Sequence, residues 1–174
     1  GGSGGVVSNS MIELKGAILT NIYGGANTSG TVETSKILLT SGTAQSVFGG
    51  GLNASQDSSN VELINARVTA IYGGSSGSGT VGTSNVTLTS GSIQNVYAGG
   101  NGTTTVNTSN LYANGTTVNN IFGGAKTNGI VNNSNVYVRS GTIENVYGGG
   151  SDGGITYNSN VFIESNPTIT GNVY

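Results

Sequence analysis

Short runs of alternating apolar and polar residues recur along the whole chain. A typical run is Val86-Thr87-Leu88, in which the two apolar residues lie two positions apart. That spacing is the period of a β-strand with one buried face. The runs are rich in Val, Ile, Thr and Tyr, which favour strands, and none has helical spacing. The pattern therefore predicts an all-β chain.

Two sequence phrases show that the runs belong to a repeat. One is an apolar residue, an aromatic residue and two small residues, as in Ile71-Tyr72-Gly73-Gly74. The other, Ser-Asn-Val-x-Leu, recurs at the same interval as the first, and its serine is present in every repeat. The aromatic column is Tyr23, Phe48, Tyr72, Tyr97, Phe122, Tyr147 and Tyr174, and the serine column is Ser10, Ser35, Ser59, Ser84, Ser109, Ser134 and Ser159. The constant spacing of these two columns predicts structural repeats that stack on one another.

We predict a right-handed parallel β-helix (β-solenoid) of about seven coils, each with about 25 residues and about three short strands. The coils run approximately over residues 1–23, 24–48, 49–72, 73–97, 98–122, 123–147 and 148–174, within a single segment, 1–174. Stability would come from stacking, because one coil cannot bury its own apolar face. Neither terminus offers a polar cap, so we expect a longer repeat array or end-to-end self-assembly.

One coil illustrates the predicted cross-section. Val86, Leu88, Ile93 and Val96 are expected to point inward, with a bend at Asn95 because Ile93 and Val96 are three positions apart. Asn21, Asn120, Asn145 and Asn172 occupy the same slot, which resembles the asparagine ladder of pectate-lyase-type β-helices. Gly-rich stretches such as 75–79 are expected to be exposed turns. The third coil is one residue shorter, and Gln56 replaces the valine of its first strand.

The composition excludes several kinds of chemistry. The chain has no Cys or His, so it offers no disulfide, thiolate nucleophile, Ser–His catalysis or zinc site of the usual type. Its five Lys and Arg residues are too few for a nucleic-acid interface. Since no apolar run reaches the roughly 18–20 residues of a membrane span, no span is predicted. We expect no cofactor and no metal.

Carboxylates are considered separately, because β-helices include polysaccharide-degrading enzymes. Glu33 and Asp57 fall near one column of adjacent coils, where two acids could share a proton or bind Ca²⁺. Without a neighbouring base or cationic column, we expect them to be solvated turn residues. Residues 149–152 approach a calcium-binding nonapeptide motif, but the spacing fails and the match occurs once. The chain is therefore predicted not to be an enzyme.

Two columns of the repeat are expected to be structural. The serines lie on the core face of their strands and predict an internal row of hydroxyls with partners on neighbouring coils. The aromatic column beside the Gly-Gly phrase is expected to stack at the coil spacing, and the sequence leaves open the direction in which it points.

A candidate ligand site lies on the outer face of the last three coils. Tyr112, Tyr137 and Phe162 form one outward column, between Asn110, Asn135 and Asn160 on one side and Asn114, Arg139 and Glu164 on the other. Aromatic rings beside amides are typical of carbohydrate recognition, so this strip predicts weak glycan binding. Two alternatives remain open: cross-strand pairing on a solvated sheet, and packing within a trimer.

The repeat Ser-Asn-Val-x-Leu-x-Ser-Gly-x-Ile-x-Asn-Val-Tyr-Gly-Gly resembles the β-solenoid repeats of large bacterial surface proteins, including adhesins and autotransporter-like passengers. The resemblance extends over essentially all 174 residues. It implies a non-catalytic structural or adhesive stalk of a secreted protein at the bacterial cell surface. Its implied partners are neighbouring repeats and host or cell-surface glycans.

Three other functions are kept as alternatives. A phage tail-fibre segment would be trimeric, and a carbohydrate-active β-helix enzyme would need an acid-lined groove. Ice binding would need a regular Thr-x-Thr column, of which Thr87 and Thr89 supply a single rung.

Overall fold

The computed structural model describes residues 5–174, which form a parallel β-solenoid of about seven coils. These residues contain strands, turns and bends but no helix. Each strand pairs with the equivalent strand of the next coil, as Val61 does with Val86, 25 positions later. The offset is 24 between Ile37 and Val61, where the short third coil begins. The predicted all-β solenoid and its repeat length are confirmed.

The strands form one twelve-stranded sheet, which folds into two faces that run the length of the stack and that we call the first and the second sheet. The first contains β1 Val6–Leu14, β3 Thr31–Leu39, β5 Gln56–Leu63, β7 Ser78–Leu88, the first parts of β9 Thr103–Phe122 and β10 Ile130–Tyr147, and β11 Ile155–Ile163. The second contains β2 Ile18–Tyr23, β4 Thr43–Phe48, β6 Arg67–Tyr72, β8 Ser92–Tyr97, the second parts of β9 and β10, and β12 Thr168–Ile169. In β9 and β10 the chain passes from the first sheet to the second without a break in strand structure.

The strands are fewer and longer than the sequence suggests. Val81 and Val86, which an arrangement of three short strands per coil would place in separate strands, both lie in β7. In β7 the buried residues Val81 and Ser84 are three positions apart, and buried and less buried residues alternate again after Ser84. Because three positions do not fit the period of a straight strand, the chain must bend at Gly82 and Thr83. The bend leaves the hydrogen-bonded ladder intact, so the two predicted strands are one.

Alternation places the predicted core residues inside. Val86, Val136 and Ile143 are fully buried, and Ile93 is 3% exposed. The central core lies between the two sheets and is built from four columns of apolar residues that continue from coil to coil. Each buried Val, Leu or Ile contributes roughly 1.5–3 kcal/mol to stability. Thr87 and Tyr137 lie on the outer face as predicted. Each is half-buried, because the neighbouring side chain of the same column, Tyr112, covers part of it.

A fifth column packs outside this central core. Val81, Val106 and Val131 form a separate cluster with Ala125, and Val32 forms another with Ala26 and Ala54. The alanines of both clusters belong to the Gly-rich segments that follow the second sheet. The Gly-rich segments therefore form a third wall of the solenoid.

That wall corrects the expectation of exposed turns. Ser75 is fully buried, and residues 76–79 are half-buried. Backbone bonds link the segments of successive coils: the Ser76 nitrogen donates to the Gly51 oxygen at 2.9 Å. A Cβ on Gly74 would lie 2.8 Å from both Val106 Cγ2 and the Gly100 nitrogen. Glycine is needed here because the wall packs backbone against backbone and against the valine column.

Gln56 explains how the shorter third coil keeps this column filled. The side chain is 4% exposed, and its Nε2 donates to Ser35 Oγ at 3.0 Å, to the Gly49 oxygen at 3.1 Å and to the Ser58 oxygen at 3.0 Å. These bonds satisfy the amide nitrogen, but Oε1 is buried without a hydrogen-bond partner among the described residues, so they compensate only in part for placing an amide where the neighbouring coils have Val32 and Val81.

Candidate functional site

The outer strip, which we define as Tyr112, Tyr137 and Phe162, lies on the outer face of the first sheet. The preceding residues, Leu111, Val136 and Val161, point into the central core, so strand alternation turns the three aromatic rings outward. The ring centroids of Tyr112 and Tyr137 are 5.0 Å apart, and those of Tyr137 and Phe162 are 4.9 Å apart. The structure thus brings the three predicted aromatic residues together.

The orientation of these rings changes the expected mode of recognition. Their planes differ by only 8° and 10°, so each ring turns a face toward its neighbour in the next coil. Stacked faces are used within the protein and do not form the flat platform that a sugar ring would cover. The outward surface consists of ring edges and the hydroxyls of Tyr112 and Tyr137. Phe162, at the end of the strip, is the most exposed of the three at 40%.

The three predicted asparagines belong to a ladder of amides beside the strip. Each Nδ2 donates to the Oδ1 of the preceding coil: Asn110 to Asn85 at 3.0 Å, Asn135 to Asn110 at 3.1 Å and Asn160 to Asn135 at 3.0 Å. The ladder begins with the bond from Asn85 to Asn60, also at 3.0 Å. One N–H of each amide is therefore used between coils, and only the second is free to meet a ligand.

Arg139 occupies a β-bulge that the sequence did not reveal. We placed Asn114 and Arg139 in one column, but Asn114 pairs with Ser140, and the register shifts on both sides of that pair. Arg139 is the additional residue of β10. Its guanidinium carbon lies 5.3 Å and 5.2 Å from the ring centroids of Tyr112 and Tyr137, within the range of a cation–π contact.

Arg139 and Glu164, which the sequence places in one outward column, form an ion pair. Arg139 Nε donates to Glu164 Oε2 at 3.2 Å, and the two side chains are 42% and 43% exposed. This exposure limits the contribution of the pair to about 1 kcal/mol. The pair closes one side of the outer strip, and the asparagine ladder closes the other.

The same column has a different character in the earlier coils. Leu38, Glu62 and Thr87 are paired in register with one another and lead to Tyr112. Lys36 Nζ lies 3.8 Å from Glu62 Oε2, which places an ion pair where the later coils have amides and rings. The outer strip is therefore confined to the last three coils.

The second aromatic column is continuous from Tyr23 to Tyr174. Successive ring centroids are between 4.7 and 5.1 Å apart, with planes within 8° of parallel. Phe48 and Tyr72 are 4% exposed and Tyr97 is 5% exposed. These rings form a cluster apart from the central core, together with Ala70, so they lie on the other side of the second sheet. We call them the long aromatic column.

Burial alters the acidity of this column. Desolvation raises the pKa of Tyr72 to about 12, and the nearby Tyr97 and Asp152 add to the rise. Desolvation also raises the pKa of Tyr97, and a hydrogen bond with Ser151 partly opposes it. Residues 151 and 152, which we weighed as part of a calcium motif, thus lie beside the long aromatic column.

The serine column is internal from Ser35 to Ser134, as predicted, and Ser35 and Ser59 have the predicted partners on the next coil, whereas the hydroxyls of Ser84 and Ser134 have none within residues 5–174. Ser59 Oγ donates to the Gly73 oxygen at 2.6 Å, and Ser35 Oγ donates to the Gly49 oxygen at 2.7 Å. The acceptors are carbonyls of the Gly-Gly phrase rather than other hydroxyls. Glycine at this phrase leaves the room that the hydroxyls need, since a Cβ on Gly49 would meet Ser59 Oγ at 2.9 Å.

The bend asparagines form a ladder over part of the stack. Asn120 Nδ2 donates to Asn95 Oδ1 at 2.9 Å, and Asn145 Nδ2 donates to Asn120 Oδ1 at 3.1 Å. The backbone nitrogen of Asn172 donates to Asn145 Oδ1 at 3.1 Å. Asn21 pairs in register with Ser46, so the predicted ladder does not extend to the first coil.

The acidic pair considered above lies at the surface. Glu33 and Asp57 are both exposed, and the flanking register, Val32 with Gln56 and Thr34 with Ser58, places them opposite each other. Among residues 5–174, no three acidic side chains are grouped so that they could hold a metal ion.

Comparisons with known proteins identify no relative. No protein-family model, curated protein or solved structure matches the chain. Residues 5–174 also include no helix that is long and apolar enough to cross a membrane. Function is therefore inferred from the geometry of the columns.

Proposed function

We propose that this chain is a non-catalytic, rigid stalk segment of a secreted bacterial surface protein. The observation that supports it most is the continuity of the inter-coil contacts. Every junction between coils is crossed by paired strands of both sheets and by a stacked pair of rings from the long aromatic column. Such a stack repeats the same kinds of contact at every junction.

This continuity of contacts between coils favours a role as a rigid spacer. A functional cleft usually depends on loops that leave the scaffold, whereas the Gly-rich segments here are packed into the third wall. Glu33 and Asp57, the acids weighed for catalysis, are both exposed on the outer surface. A stalk needs a regular rod, and the side chains of this chain are arranged to build one.

The rigidity can be measured directly. The chain has no cysteine, so single cysteines at Ser8 and Tyr157 would carry spin labels on the first and last coils. Six coil steps of about 4.8 Å predict label positions roughly 29 Å apart along the rod. Pulsed electron paramagnetic resonance should give one narrow distance distribution near this value, broadened only by the linkers. A broad or bimodal distribution would contradict the stalk.

Surface location has its own test. Antibodies raised against the folded chain should label intact, unpermeabilised cells of the source bacterium. Labelling that requires permeabilisation would contradict export. Phage particles that are labelled instead would favour the tail-fibre alternative, for which the purified chain should have the mass of a trimer.

A second function, weak glycan binding at the outer strip, is supported by its half-exposed tyrosines beside partly free amides. A ligand would meet ring edges, the hydroxyls of Tyr112 and Tyr137, and the second N–H of Asn135. A glycan array followed by titration of Tyr137→Ala would test it. Thr87→Ala, in the same column one step from Tyr112, is the matched control. Binding that survives Tyr137→Ala would exclude this site.

The enzyme alternative is tested by incubating the chain with acidic and neutral polysaccharides. We expect no release of sugar. Release that Glu33→Gln or Asp57→Asn abolishes would overturn the non-catalytic proposal.

A further inference from the structure

The outer face of the second sheet carries two columns of polar side chains in the second to fifth coils. Val68 and Ile93 point into the central core, as do their equivalents in the neighbouring coils, so strand alternation turns the residues on either side of them outward. One column is Thr43, Arg67, Ser92 and Thr117, and the other is Gln45, Thr69, Gln94 and Asn119. We call these two columns the Arg67 face. Ser92 is half-buried, and the others are exposed.

Two adjoining depressions in this face share a cation. One has a volume of about 450 Å³ and lies beside the turn that precedes the strands, where Asn65, Arg67 and Ser92 line it. The other has a volume of about 340 Å³ and extends across the strands from Thr43 to Thr117. Arg67 and Ser92 line both depressions. A ligand in either one would therefore meet the guanidinium group.

The polar groups of the Arg67 face are not used within the protein. The hydrogen bonds that side chains form within residues 5–174 include none from the side chains of this face. The contrast with the adjacent bend asparagines is direct, because Asn120, the residue after Asn119, donates to Asn95 Oδ1 at 2.9 Å. Hydroxyl and amide side chains each offer donors and acceptors, so those of the Arg67 face are available to a ligand.

Arg67 is also without a carboxylate partner. The ion pairs of the described residues use Lys15, Lys36 and Arg139. The Arg67 face contains no acidic residue, although the chain as a whole has a net charge of −2. Its second column reaches a carboxylate only at Glu144, three coils from Arg67 and therefore roughly 14 Å away along the rod. The face is thus a positively charged region on a negatively charged chain.

We propose that the Arg67 face binds an acidic oligosaccharide. A carboxylate or sulfate of the sugar accepts hydrogen bonds from Arg67, whose planar fork suits such an oxyanion, and the sugar hydroxyls bond to the free amides and hydroxyls around it. The columns extend over four coils, roughly 14 Å, which is long enough for a short oligosaccharide to lie along the rod.

The composition of the face favours a sugar over the other anionic partners. A single cation is too few for a nucleic-acid backbone, which is bound by clusters of Lys and Arg. The face also has none of the aromatic side chains that anchor most protein partners. This site lies on a different sheet from the outer strip and selects a charged ligand, so the inference goes beyond both functions proposed above.

Calorimetric titration of the whole chain tests the site. The probes are alginate oligosaccharides, which carry carboxylates, dextran sulfate, which carries sulfates, and neutral dextran. We expect one or both anions to bind and neutral dextran not to bind. Arg67→Gln should weaken the binding about tenfold, as expected for the loss of charged hydrogen bonds. Arg67→Lys keeps the charge without the planar fork, so it should have an intermediate affinity.

Controls separate this site from net charge and from misfolding. Lys126→Gln makes the same change in net charge on the Gly-rich wall and should leave the affinity unchanged, as should Tyr137→Ala in the outer strip. Circular dichroism should show native strand content for every variant. The proposal is overturned if neither anion binds, if Arg67→Gln keeps the affinity, or if Lys126→Gln weakens it equally. Binding of polyglutamate but of neither sugar would also overturn it and would indicate an acidic protein partner.

Discussion

The long aromatic column and the outer strip are built from the same kinds of residue at the same spacing, yet they differ in burial. Rings in both stack about 5 Å apart with nearly parallel planes, as for Phe48 with Tyr72 and Tyr112 with Tyr137. The central rings of the long aromatic column are almost completely buried, whereas those of the outer strip are half-exposed. Stacking geometry alone therefore does not tell a structural column from a candidate binding surface.

The difference arises from what lies beside each column. The Gly-rich segments follow the long aromatic column directly in sequence, and residues 151 and 152 lie near Tyr97 and Tyr72. The outer strip has an amide ladder on one side and an exposed ion pair on the other. Only the outer strip therefore leaves polar groups accessible to a ligand.

Replacing one ring in each column should produce the largest contrast. Tyr72→Ala removes a ring that is 4% exposed and stacks on two others, so we expect a loss of about 3–5 kcal/mol in the free energy of unfolding. Tyr137→Ala removes a half-exposed ring and should cost about 1 kcal/mol. Urea denaturation of the two variants checks this. Equal losses would show that the outer strip is as structural as the long aromatic column.

A second difference should appear at high pH. Burial raises the pKa of Tyr72 to about 12 from 10.0, so the folded state binds the phenolic proton more tightly than the unfolded state does. The resulting stability is complete below pH 10 and is lost as the pH rises toward 12. Unfolding monitored at several pH values in this window should show the decline.

The matched control is Tyr72→Phe, which keeps the ring and removes the ionisable hydroxyl. It should reduce the loss of stability between pH 10 and 12. If the two proteins lose stability in parallel, groups other than Tyr72 dominate the alkaline transition.

The interruption of one amide ladder should have a smaller effect. Asn135 donates to Asn110 and accepts from Asn160, so Asn135→Ala leaves one donor and one acceptor without their partners. These groups are partly exposed and water can replace some of the bonding, so we expect a loss of about 1–2 kcal/mol. Asn119→Ala, at an exposed position that is not in a ladder, is the control. Similar losses in both variants would indicate that the ladder adds nothing beyond strand propensity.

The parts of the fold that follow from periodicity could be predicted from the sequence. Alternation within a strand and a repeat near 25 residues together determine which side chains share a column, and the pairs of Val86 with Val61 and Leu111 agree. The buried Gly-rich wall could not be predicted in this way. Its packing depends on backbone hydrogen bonds and on the absence of side chains, and neither leaves an apolar signal.

The candidate site was predictable in its members but not in its geometry. The repeat register identified the column of Tyr112, Tyr137 and Phe162, whereas the orientation of ring planes depends on side-chain rotamers that a one-dimensional pattern does not contain. Arg139 illustrates a second limit. A single additional residue in β10 moves it out of line with Asn114, and nothing in the local sequence distinguishes a bulge from regular pairing there.

The smallest effect we predict concerns the ion pair beside the outer strip. Arg139 contacts both Glu164 and the rings of Tyr112 and Tyr137, and more than two fifths of its side chain is exposed. Water screens an exposed pair, so a double-mutant cycle of Arg139→Ala and Glu164→Ala should give a coupling energy of at most about 1 kcal/mol. Arg139→Ala alone should cost slightly more than the cycle assigns to the pair, because the cation–π contacts are lost as well. Repeating the cycle in 1 M salt separates the two, since screening weakens the ion pair more than the ring contacts. Coupling well above this limit would show that Arg139 is shielded from water, and the outer strip would then resemble the long aromatic column more closely than its exposure suggests.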